Sequence, residues 1–337
     1  GIISMGKSIG ETSAIAVNGL DFDYYTYYNT GAASTVTNRS TGYSETSRMS
    51  YAGRLHYGYK SKYLLTVSNR WDGASQLYRN WASFPSVSAA WRISDEPFMG
   101  NFNAWITDMK LRASYGVTGN NNISPYQSIT ELVSKTASSN LSLGGSGVLP
   151  IYVLKQALGN PELTWEKSYT TNLALDLVLF KGKLNLTTEW YHTQTDGVLY
   201  KRTLPSTSGG FDAKNLYTKV LNIAKTENKG FEVTASLRTM AKKDFQWNTS
   251  LTFTAAREKL VSIDLGNSIS ATSLISENLF VGQPLKTFYD YKKVGIWQTQ
   301  DSLLAKRYGA RPGDIQLATV PKVSAEGVSD SGIHVYT

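Results

Sequence analysis

The chain has 337 residues and a net charge of +8, and it contains no cysteine, which excludes disulfides, thiolate metal sites and cysteine nucleophiles. No stretch of about 18 consecutive apolar residues occurs, so the sequence predicts no transmembrane helix. The lysine dipeptides at 242–243 and 292–293 are typical of solvated turns, so the sequence predicts no nucleic-acid partner.

The composition favours β structure, because charged residues make up only 18% of the chain, aromatic residues reach 12% and glycine occurs 28 times. Residues 47–73 are predicted to form two strands joined by a turn at Lys60-Ser61-Lys62. Their apolar residues alternate onto one face, which before the turn carries Tyr51, Leu55, Tyr57 and Tyr59, and after it Tyr63, Leu65 and Val67.

The next two predicted strands show the same period of two. In residues 84–99 apolar side chains alternate with small or polar ones until Asp95, Glu96 and Pro97 end the run. One face of this strand carries Val87, Ala89, Trp91 and Ile93, and the other carries Ser86, Ser88, Ala90 and Arg92. In residues 108–121 one face carries Leu111, Ala113, Tyr115 and Val117, and the other carries Lys110, Arg112 and Ser114.

Two long hairpins are predicted further along the chain, in residues 168–197 and 228–260. Lys181-Gly182 is predicted to form the first turn, with Gly182 supplying a positive φ for a two-residue loop. The second connection is Lys242-Lys243-Asp244. Gly230, in "ENKGFE", is predicted to mark a strand start where another backbone approaches closely.

Long segments rich in Ser, Gly, Asn and Thr separate these hairpins, at 119–160, 203–227 and 262–283. Such long loops are uncommon inside compact soluble domains. Short turns alternating with long loops are typical of an outer-membrane barrel, in which apolar residues face lipid and polar residues face a wet lumen. Aromatic residues near strand ends fit interfacial belts: Tyr59, Tyr63, Trp71, Tyr115, Trp190, Tyr191, Phe245 and Trp247. A soluble β-sandwich has the same period, so both architectures remain open.

Seven segments, in order, resemble the barrel of the SusC/RagA family of TonB-dependent outer-membrane transporters of Bacteroidetes-type bacteria. They are "FPSVSAAWRISDEPFM", "DMKLRASYGVTGNNNISPYQ", the stretch from "LGNPELTWEKSYTT" to "HTQTDGVL", "LPSTSGGF", "TENKGFEVT", "DFQWNTSLTFT" and "VGQPLKTFYDYKKVGIWQTQD". The resemblance covers roughly residues 45–315. It implies an all-β fold: a transmembrane antiparallel β-barrel.

The whole chain, residues 1–337, is therefore predicted to be a partial TonB-dependent receptor β-barrel domain, with no plug or N-terminal carboxypeptidase-like domain visible. About ten to twelve strands are recognisable, whereas a plugged transporter of this kind has about 22. Because unpaired backbone groups in hydrocarbon cost several kcal/mol each, such a sheet needs further strands to close. The segment after "RPGDI" and the end at "GIHVYT" also depart from the family pattern.

Residues that suggest chemistry favour structural interpretations. The three histidines, His56, His192 and His334, are far apart in sequence, and no catalytic, cofactor or metal site is predicted. Asp21 and Asp23 are read as a solvated pair rather than a Ca²⁺ site, and the glycines of "LGGSGVLP" as a loop. Trp165 is predicted to pack or to lie in a belt, with sugar stacking as the alternative.

The resemblance implies an importer of glycan fragments or peptides in the bacterial outer membrane, a multi-pass barrel in contact with lipid. Its expected partners are a SusD-like surface lipoprotein and TonB, reached through an N-terminal region not in this chain. No enzymatic activity and no cofactor are expected. Substrate-binding residues stay unassigned, although the family pattern places contacts in outer loops and makes four aromatic residues candidates: Tyr126, Tyr152, Phe211 and Tyr217.

Two alternatives stay open. A soluble β-rich carbohydrate-binding module or glycoside hydrolase would need paired carboxylates in a cleft, for which Glu166, Glu189 and Glu232 are the strand residues available. A siderophore-type receptor would share the barrel architecture and differ only in substrate.

Overall fold

The computed structural model describes residues 1–20, 27–102, 104–135, 151–210, 214–242, 245–264, 279–285, 287–324, 327–332 and 334–336. The chain divides into two compact units, Gly1–Ala256 and Arg257–Thr337. Within the described residues no helix has the length and apolar character needed to cross a membrane.

The first unit is built from strands, and the last of them continues into the second unit. In chain order the strands are β1 (Ile2–Asn18), β2 (Thr35–Tyr59), β3 (Tyr63–Ala74), β4 (Trp81–Arg92), β5 (Ile106–Asn120), β6 (Leu132–Lys135), β7 (Ile151–Leu154), β8 (Ala157–Leu158), β9 (Glu166–Leu179), β10 (Leu184–Thr203), β11 (Thr218–Lys242) and β12 (Phe245–Ile263). Short 3₁₀ helices lie in the connections, at Tyr27–Ala32, Ile93–Asp95, Pro97–Phe102 and Ser206–Ser208.

One ten-stranded sheet holds most of these strands, in the order β1-β2-β3-β4-β5-β9-β10-β11-β12, with β8 pairing beside β11. Every neighbouring pair from β1 to β11 along this path is antiparallel. In the described residues β1 and β12 each have one neighbour, so the sheet is open there. The predicted all-β antiparallel fold is confirmed.

The connections differ at the two ends of this sheet. At one end, here the short-turn end, links of a few residues join β2 to β3 (60–62), β9 to β10 (180–183) and β11 to β12 (243–244), whereas the β4–β5 link at this end is longer (93–105) and contains two 3₁₀ helices. At the other end, the loop end, longer links join β1 to β2, β5 to β9 and β10 to β11, and only the β3–β4 link is short. The predicted asymmetry of turns and loops is therefore present, although the loop predicted at 203–227 ends where β11 begins, at Thr218.

Two hairpin turns use positive φ angles without relying on glycine alone. Lys60 and Ser61 have φ of 49° and 55°, and the Lys62 amide donates to the Tyr59 carbonyl at 3.0 Å, as in a type I′ turn. At the turn predicted at Lys181-Gly182 the positive φ of Gly182 is confirmed, at 83°, but the loop comprises residues 180–183 rather than two residues. Pairing stops at Leu179 and Leu184, and φ is already positive at Phe180 and Lys181, 53° and 56°.

Gly230 does not mark a strand start, because it lies in the middle of β11, opposite Tyr191 of β10. A Cβ at this position would lie 2.7 Å from the Tyr191 ring, so the glycine makes room for an aromatic side chain. The prediction for 84–99 also needs one correction. The strand ends at Arg92, and Ile93 starts a 3₁₀ turn.

The second unit contains short elements: β13 (Tyr289–Tyr291), β14 (Lys293–Ile296), a 3₁₀ turn (Thr299–Asp301), helix α1 (Ser302–Arg307), β15 (Ile315–Leu317), β16 (Thr319–Ser324), β17 (Gly327–Gly332) and β18 (His334–Tyr336). They form three two-stranded sheets, β13–β18, β14–β15 and β16–β17. Trp297 is buried in this unit and stacks on Tyr308, with 5.8 Å between ring centroids.

Candidate functional site: the two faces of the sheet

One face of the main sheet, here the apolar face, exposes large hydrophobic side chains on neighbouring strands. The side chain of Leu55 is 78% exposed and that of Phe253 is 57% exposed. The same face also exposes Tyr57, Leu65, Val67, Val87, Leu111, Tyr115, Leu173, Trp190, Phe231, Leu237 and Leu251. A soluble sheet buries such a face against a second layer. The described residues supply no second layer over this face.

Aromatic side chains border the apolar face at both ends. At the short-turn end Tyr63 stacks on Tyr59 and on Trp91, with 6.4 Å between centroids in each pair. Towards the loop end Tyr51 stacks on Trp81 at 5.7 Å. Tyr51 and Tyr59 are eight residues apart on β2, or about 27 Å along the strand. This spacing matches the apolar band of about 25 Å between the aromatic belts of membrane barrels.

The belt prediction holds for some of its eight residues only. Tyr59, Tyr63, Phe245 and Trp247 lie next to short turns, and Trp71 is close to the loop-end belt. Tyr115 and Trp190 are on the apolar face but in the middle of their strands. Tyr191 is on the opposite face, against Gly230, because β10 alternates at this point.

The opposite face, here the polar face, is held by side-chain hydrogen bonds between strands. Asp176 of β9 accepts two hydrogen bonds from the Arg112 guanidinium of β5, at 2.8 and 3.0 Å. Lys110 lies 3.1 Å from the same carboxylate, and the Thr187 hydroxyl donates to it at 3.2 Å. The bidentate Arg112–Asp176 pair joins β5 to β9, and the Thr187 bond joins β9 to β10, so one carboxylate links three neighbouring strands on a polar surface.

Hydroxyl and amide pairs continue the polar face across the sheet. Cross-strand pairs are Ser68–Ser86 at 2.7 Å, His56–Thr66 at 2.9 Å, Ser168–Thr195 at 2.8 Å, Thr170–Thr193 at 3.0 Å and Asn172–Glu189. One face of the sheet is therefore apolar, and the other is polar and hydrogen-bonded.

A buried cluster lies at the loop end, where the sheet meets its longer connections. Leu163 is fully buried, and Trp165, 8% exposed, packs edge-on against Phe84 with 5.3 Å between ring centroids. The Trp165 indole N–H donates to the Asn80 carbonyl at 2.8 Å. Ala74, Leu77 and Val117 complete the cluster. Trp165 therefore has the predicted packing role rather than a place in a belt.

Two asparagines fix the segment that leads into β9. The buried Asn160 donates its side-chain amide to the Val220 carbonyl at 2.8 Å. The Asn222 amide donates to the carbonyls of Thr164 and Gly197, at 3.0 and 2.9 Å, and its oxygen accepts from the Thr164 N–H at 3.0 Å. These bonds attach a loop segment to β10 and β11.

A cavity of about 490 Å³ opens on the polar face beneath this cluster. Its lining includes Arg48, Ser50, Arg70, Asp72, Phe84 and Trp165. We call it the Arg48 cavity. The sequence analysis singled out none of the four polar residues Arg48, Ser50, Arg70 and Asp72. They lie on the polar face because Arg48 and Ser50 are an even number of residues from His56 on β2, and Arg70 and Asp72 are an even number from Thr66 on β3. Only the tertiary structure brings Trp165 to them.

The structure does not bring the histidines together. His56 bonds Thr66 on the polar face, whereas His192 lies on the apolar face, 3.7 Å from the Glu227 carboxylate and stacked on Trp190. The backbone of His334 pairs within the second unit, in β18. In the described part of the chain no group of three or more His, Asp or Glu side chains has the arrangement of a metal site. Asp21, Asp23 and the glycine-rich loop 143–150 lie outside the described residues.

The carboxylates of the hydrolase alternative are only partly assembled. Glu189 of β10 lies directly opposite Glu232 of β11 on the polar face. Glu166 is in the loop-end part of β9 and accepts a hydrogen bond from the Leu199 N–H at 3.2 Å. The Asn172 amide donates to Glu189, which makes that side chain part of the cross-strand network.

The loop candidates for substrate contact occupy different environments. The Tyr126 hydroxyl accepts a hydrogen bond from the Glu45 N–H at 3.0 Å, so it caps a strand edge. Tyr152 on β7 is exposed, and Tyr217 is half-buried before β11. Phe211 lies outside the described residues. No described contact joins these residues into one site, and their substrate role stays a prediction.

Comparison with known proteins assigns the family. The family model described as "TonB dependent receptor-like, beta-barrel" matches residues 5–333. The chain belongs to this family. It is 33% identical over 281 residues to TonB-dependent receptor P3 of Formosa agariphila, covering 81% of this chain and 27% of that protein. It is 28% identical over 259 residues to TonB-dependent receptor SusC of Bacteroides thetaiotaomicron, covering 73% and 25%.

A solved structure shares the fold of this family member. The structure of the RagAB peptide importer in the 'closed-closed' state aligns with 99% of this chain and 34% of that chain, at 19% identity and a TM-score of 0.75. The family model and the named relatives, together with this shared fold, confirm the predicted SusC/RagA resemblance. The chain spans about a quarter of the length of the two curated relatives.

Proposed function

We propose that this chain forms part of the barrel of a SusC-like TonB-dependent importer in the bacterial outer membrane. The observation that carries the proposal is the difference between the faces of one sheet. Apolar side chains stand exposed on one face, and ion pairs and hydroxyl pairs cover the other. This is the arrangement of a wall between acyl chains and an aqueous lumen.

The barrel has a passive role in this proposal. It surrounds a plug, lines the path of the substrate and presents its loop end to the outside, where a SusD-like lipoprotein closes over the ligand. TonB supplies the energy for transport by acting on the full receptor. The name of the RagAB peptide importer supports peptides as a transported class, and the resemblance to the SusC/RagA family implies glycan fragments or peptides.

The proposal includes no enzymatic activity and no cofactor. Hydrolysis of a glycoside requires a free carboxylic acid and a second carboxylate held about 5–10 Å apart around the substrate. Glu189 of β10 and Glu232 of β11 are cross-strand neighbours on the polar face, and the Asn172 amide donates a hydrogen bond to Glu189. These contacts favour a structural role in the polar face.

Cell fractionation and uptake measurements test the proposal. The full receptor is expressed in its host, and its membranes are separated by density and extracted with detergent. We expect the receptor in the outer-membrane fraction, and we expect uptake of labelled oligosaccharides or oligopeptides to stop when tonB is deleted. A receptor that is recovered in the buffer-soluble fraction, or uptake that continues without TonB, would contradict the proposal.

A further inference from the structure

The Arg48 cavity has a net positive charge that its own residues do not cancel. The Arg70 guanidinium is paired with Asp72, with 2.6 Å from Nε to the carboxylate oxygen, and its Nη2 donates to the Ser50 hydroxyl at 3.1 Å. Arg48 is also on the polar face, one cross-strand row further towards the loop end than Ser50 and Asp72. Within the described residues it has no carboxylate at ion-pair distance.

The contacts of Arg70 fix the orientation of one of the two guanidinium groups in the cavity. Because Asp72 and Ser50 hold two of its nitrogens, the planar guanidinium has a fixed direction along the strand. Arg48 is the second and uncompensated cation. A fixed guanidinium beside an uncompensated one favours an anionic group with two or three acceptor oxygens, such as a carboxylate or a sulfate.

The rest of the lining suits a sugar ring. Phe84 and Trp165 border the cavity with apolar ring surface, and Ser68 and Ser86 supply hydroxyls that bond each other at 2.7 Å. Apolar rings next to a few directed polar groups are typical of small-molecule sites, whose volumes are about 300–1,000 Å³. The Arg48 cavity, at about 490 Å³, is within this range.

The backbone around Arg48 and Arg70 is not available to a peptide. Beside these residues β2 pairs with β3, and β3 pairs with β4, so their ladder groups are already satisfied. Extended peptides commonly bind by adding a strand to a free edge. The cavity therefore favours a ligand that is recognised through side chains.

We infer that the Arg48 cavity binds the acidic group of an anionic oligosaccharide, such as a uronate, on the lumen side of the barrel. The inference rests on the proposed import function and narrows its substrate class. Arg48 contacts the anion, Arg70 is positioned by Asp72 to support it, and Phe84 and Trp165 contact the ring.

Binding titrations on the purified full receptor in detergent test the inference. The probes are trigalacturonate, its carboxyl-reduced neutral counterpart and an acidic tripeptide, tri-aspartate. We expect trigalacturonate to bind at least tenfold more tightly than the neutral sugar. Arg48→Gln should lower trigalacturonate affinity by about 10- to 100-fold, the size of a lost charge-assisted bond, and leave the neutral sugar unchanged.

Arg54→Gln is the matched control, because Arg54 is on the same strand and the same face but outside the cavity lining. It should leave trigalacturonate affinity unchanged. Equal losses in both variants would reduce the effect to general charge attraction and overturn the inference. Unchanged affinity in Arg48→Gln would also overturn it, as would tri-aspartate binding as tightly as trigalacturonate.

The titrations are independent of transport. If no labelled substrate enters cells through the receptor but trigalacturonate binding still depends on Arg48, the proposed import function fails and the site stands. If TonB-dependent uptake is intact while Arg48→Gln changes no affinity, the site fails and the import function stands.

Discussion

The two ends of the main sheet are held together by different means. At the short-turn end neighbouring aromatic rings stack, and the chain reverses within a few residues, as at Lys60-Ser61-Lys62. At the loop end Trp165 packs on Phe84 and bonds Asn80, residues more than 80 positions away in the sequence. Local sequence therefore builds one end, and long-range packing builds the other.

The difference matters for the proposed function, because in that proposal ligands enter from the loop end. The Arg48 cavity lies under the buried loop-end cluster and shares Phe84 and Trp165 with it. Its shape therefore depends on how Leu163 and Trp165 pack against the sheet. The short-turn end carries no comparable cluster among the described residues, and its aromatic rings lie at the border of the apolar face.

Trp165→Ala should lower the unfolding free energy more than any other change described here, because it removes packing at the loop end of the sheet. Removing this buried ring leaves a cavity and takes away one of the two hydrogen bonds to the Asn80 carbonyl, which still accepts from the Ala74 N–H at 3.0 Å; the loss costs about 3–5 kcal/mol of unfolding free energy. Urea unfolding of the full receptor in detergent measures it. Trp81→Ala is the matched control, since Trp81 is exposed, and it should cost about 1 kcal/mol. Similar losses in the two variants would contradict the packing role.

Leu55→Arg tests whether the apolar face contacts lipid. Leu55 lies midway between the belts at Tyr51 and Tyr59, and a charge near the midplane of a bilayer costs about 2–4 kcal/mol. Folding of the full receptor into phosphatidylcholine bilayers measures this cost. The adjacent His56→Arg places the same charge on the polar face and should cost less than about 1 kcal/mol. Equal costs would show that the two faces meet the same solvent.

A double substitution should stabilise the short-turn end. Lys60→Asn with Ser61→Gly replaces two residues at positive φ by the pair that type I′ turns prefer. We expect a gain of about 1 kcal/mol in unfolding free energy, from relief of left-handed backbone strain. The same Asn-Gly pair at Thr66 and Val67, within β3, should destabilise the barrel. A loss of stability in the turn variant would contradict the turn assignment.

The smallest expected effect concerns Glu96, in the β4–β5 link at the short-turn end. Hydrogen bonds from the Tyr63 hydroxyl at 2.6 Å and the Trp91 indole at 3.2 Å, with help from Lys62, hold the pKa of the Glu96 carboxyl below its usual range. A lowered folded pKa contributes stability that is present above the unfolded pKa, about 4.3, and is lost as pH falls through the folded value.

Glu96→Gln should therefore lose stability at pH 7 and differ less from wild type below about pH 4. Thermal unfolding of the full receptor between pH 3 and pH 7 measures the difference. Asp95→Asn is the control, because Asp95 is the adjacent carboxylate in the same link and forms an ion pair with Arg92 at 3.5 Å. A constant difference between Glu96→Gln and wild type at all pH values would contradict the hydrogen-bonded carboxylate.

Much of the fold followed from the sequence. Strand positions such as Trp81–Arg92 and Ile106–Asn120, and the faces they present, follow from a period of two, since each residue of a strand points opposite to the one before. Turn geometry was harder to predict, because Phe180 and Lys181 adopt the positive φ that the sequence suggested only for glycine. Gly230 was misplaced because its partner, Tyr191, comes from another strand.

The alternation of apolar and polar residues by itself determined that the chain forms strands with one apolar and one polar face. It did not determine whether the apolar face meets a second protein layer or lipid, since both remove it from water. The tertiary structure adds that Leu55 and Phe253 stay exposed within the described residues, and the Leu55→Arg experiment tests what covers them. Only the tertiary structure decided that Arg48 and Trp165 share one cavity, because register and long-range packing set such distances.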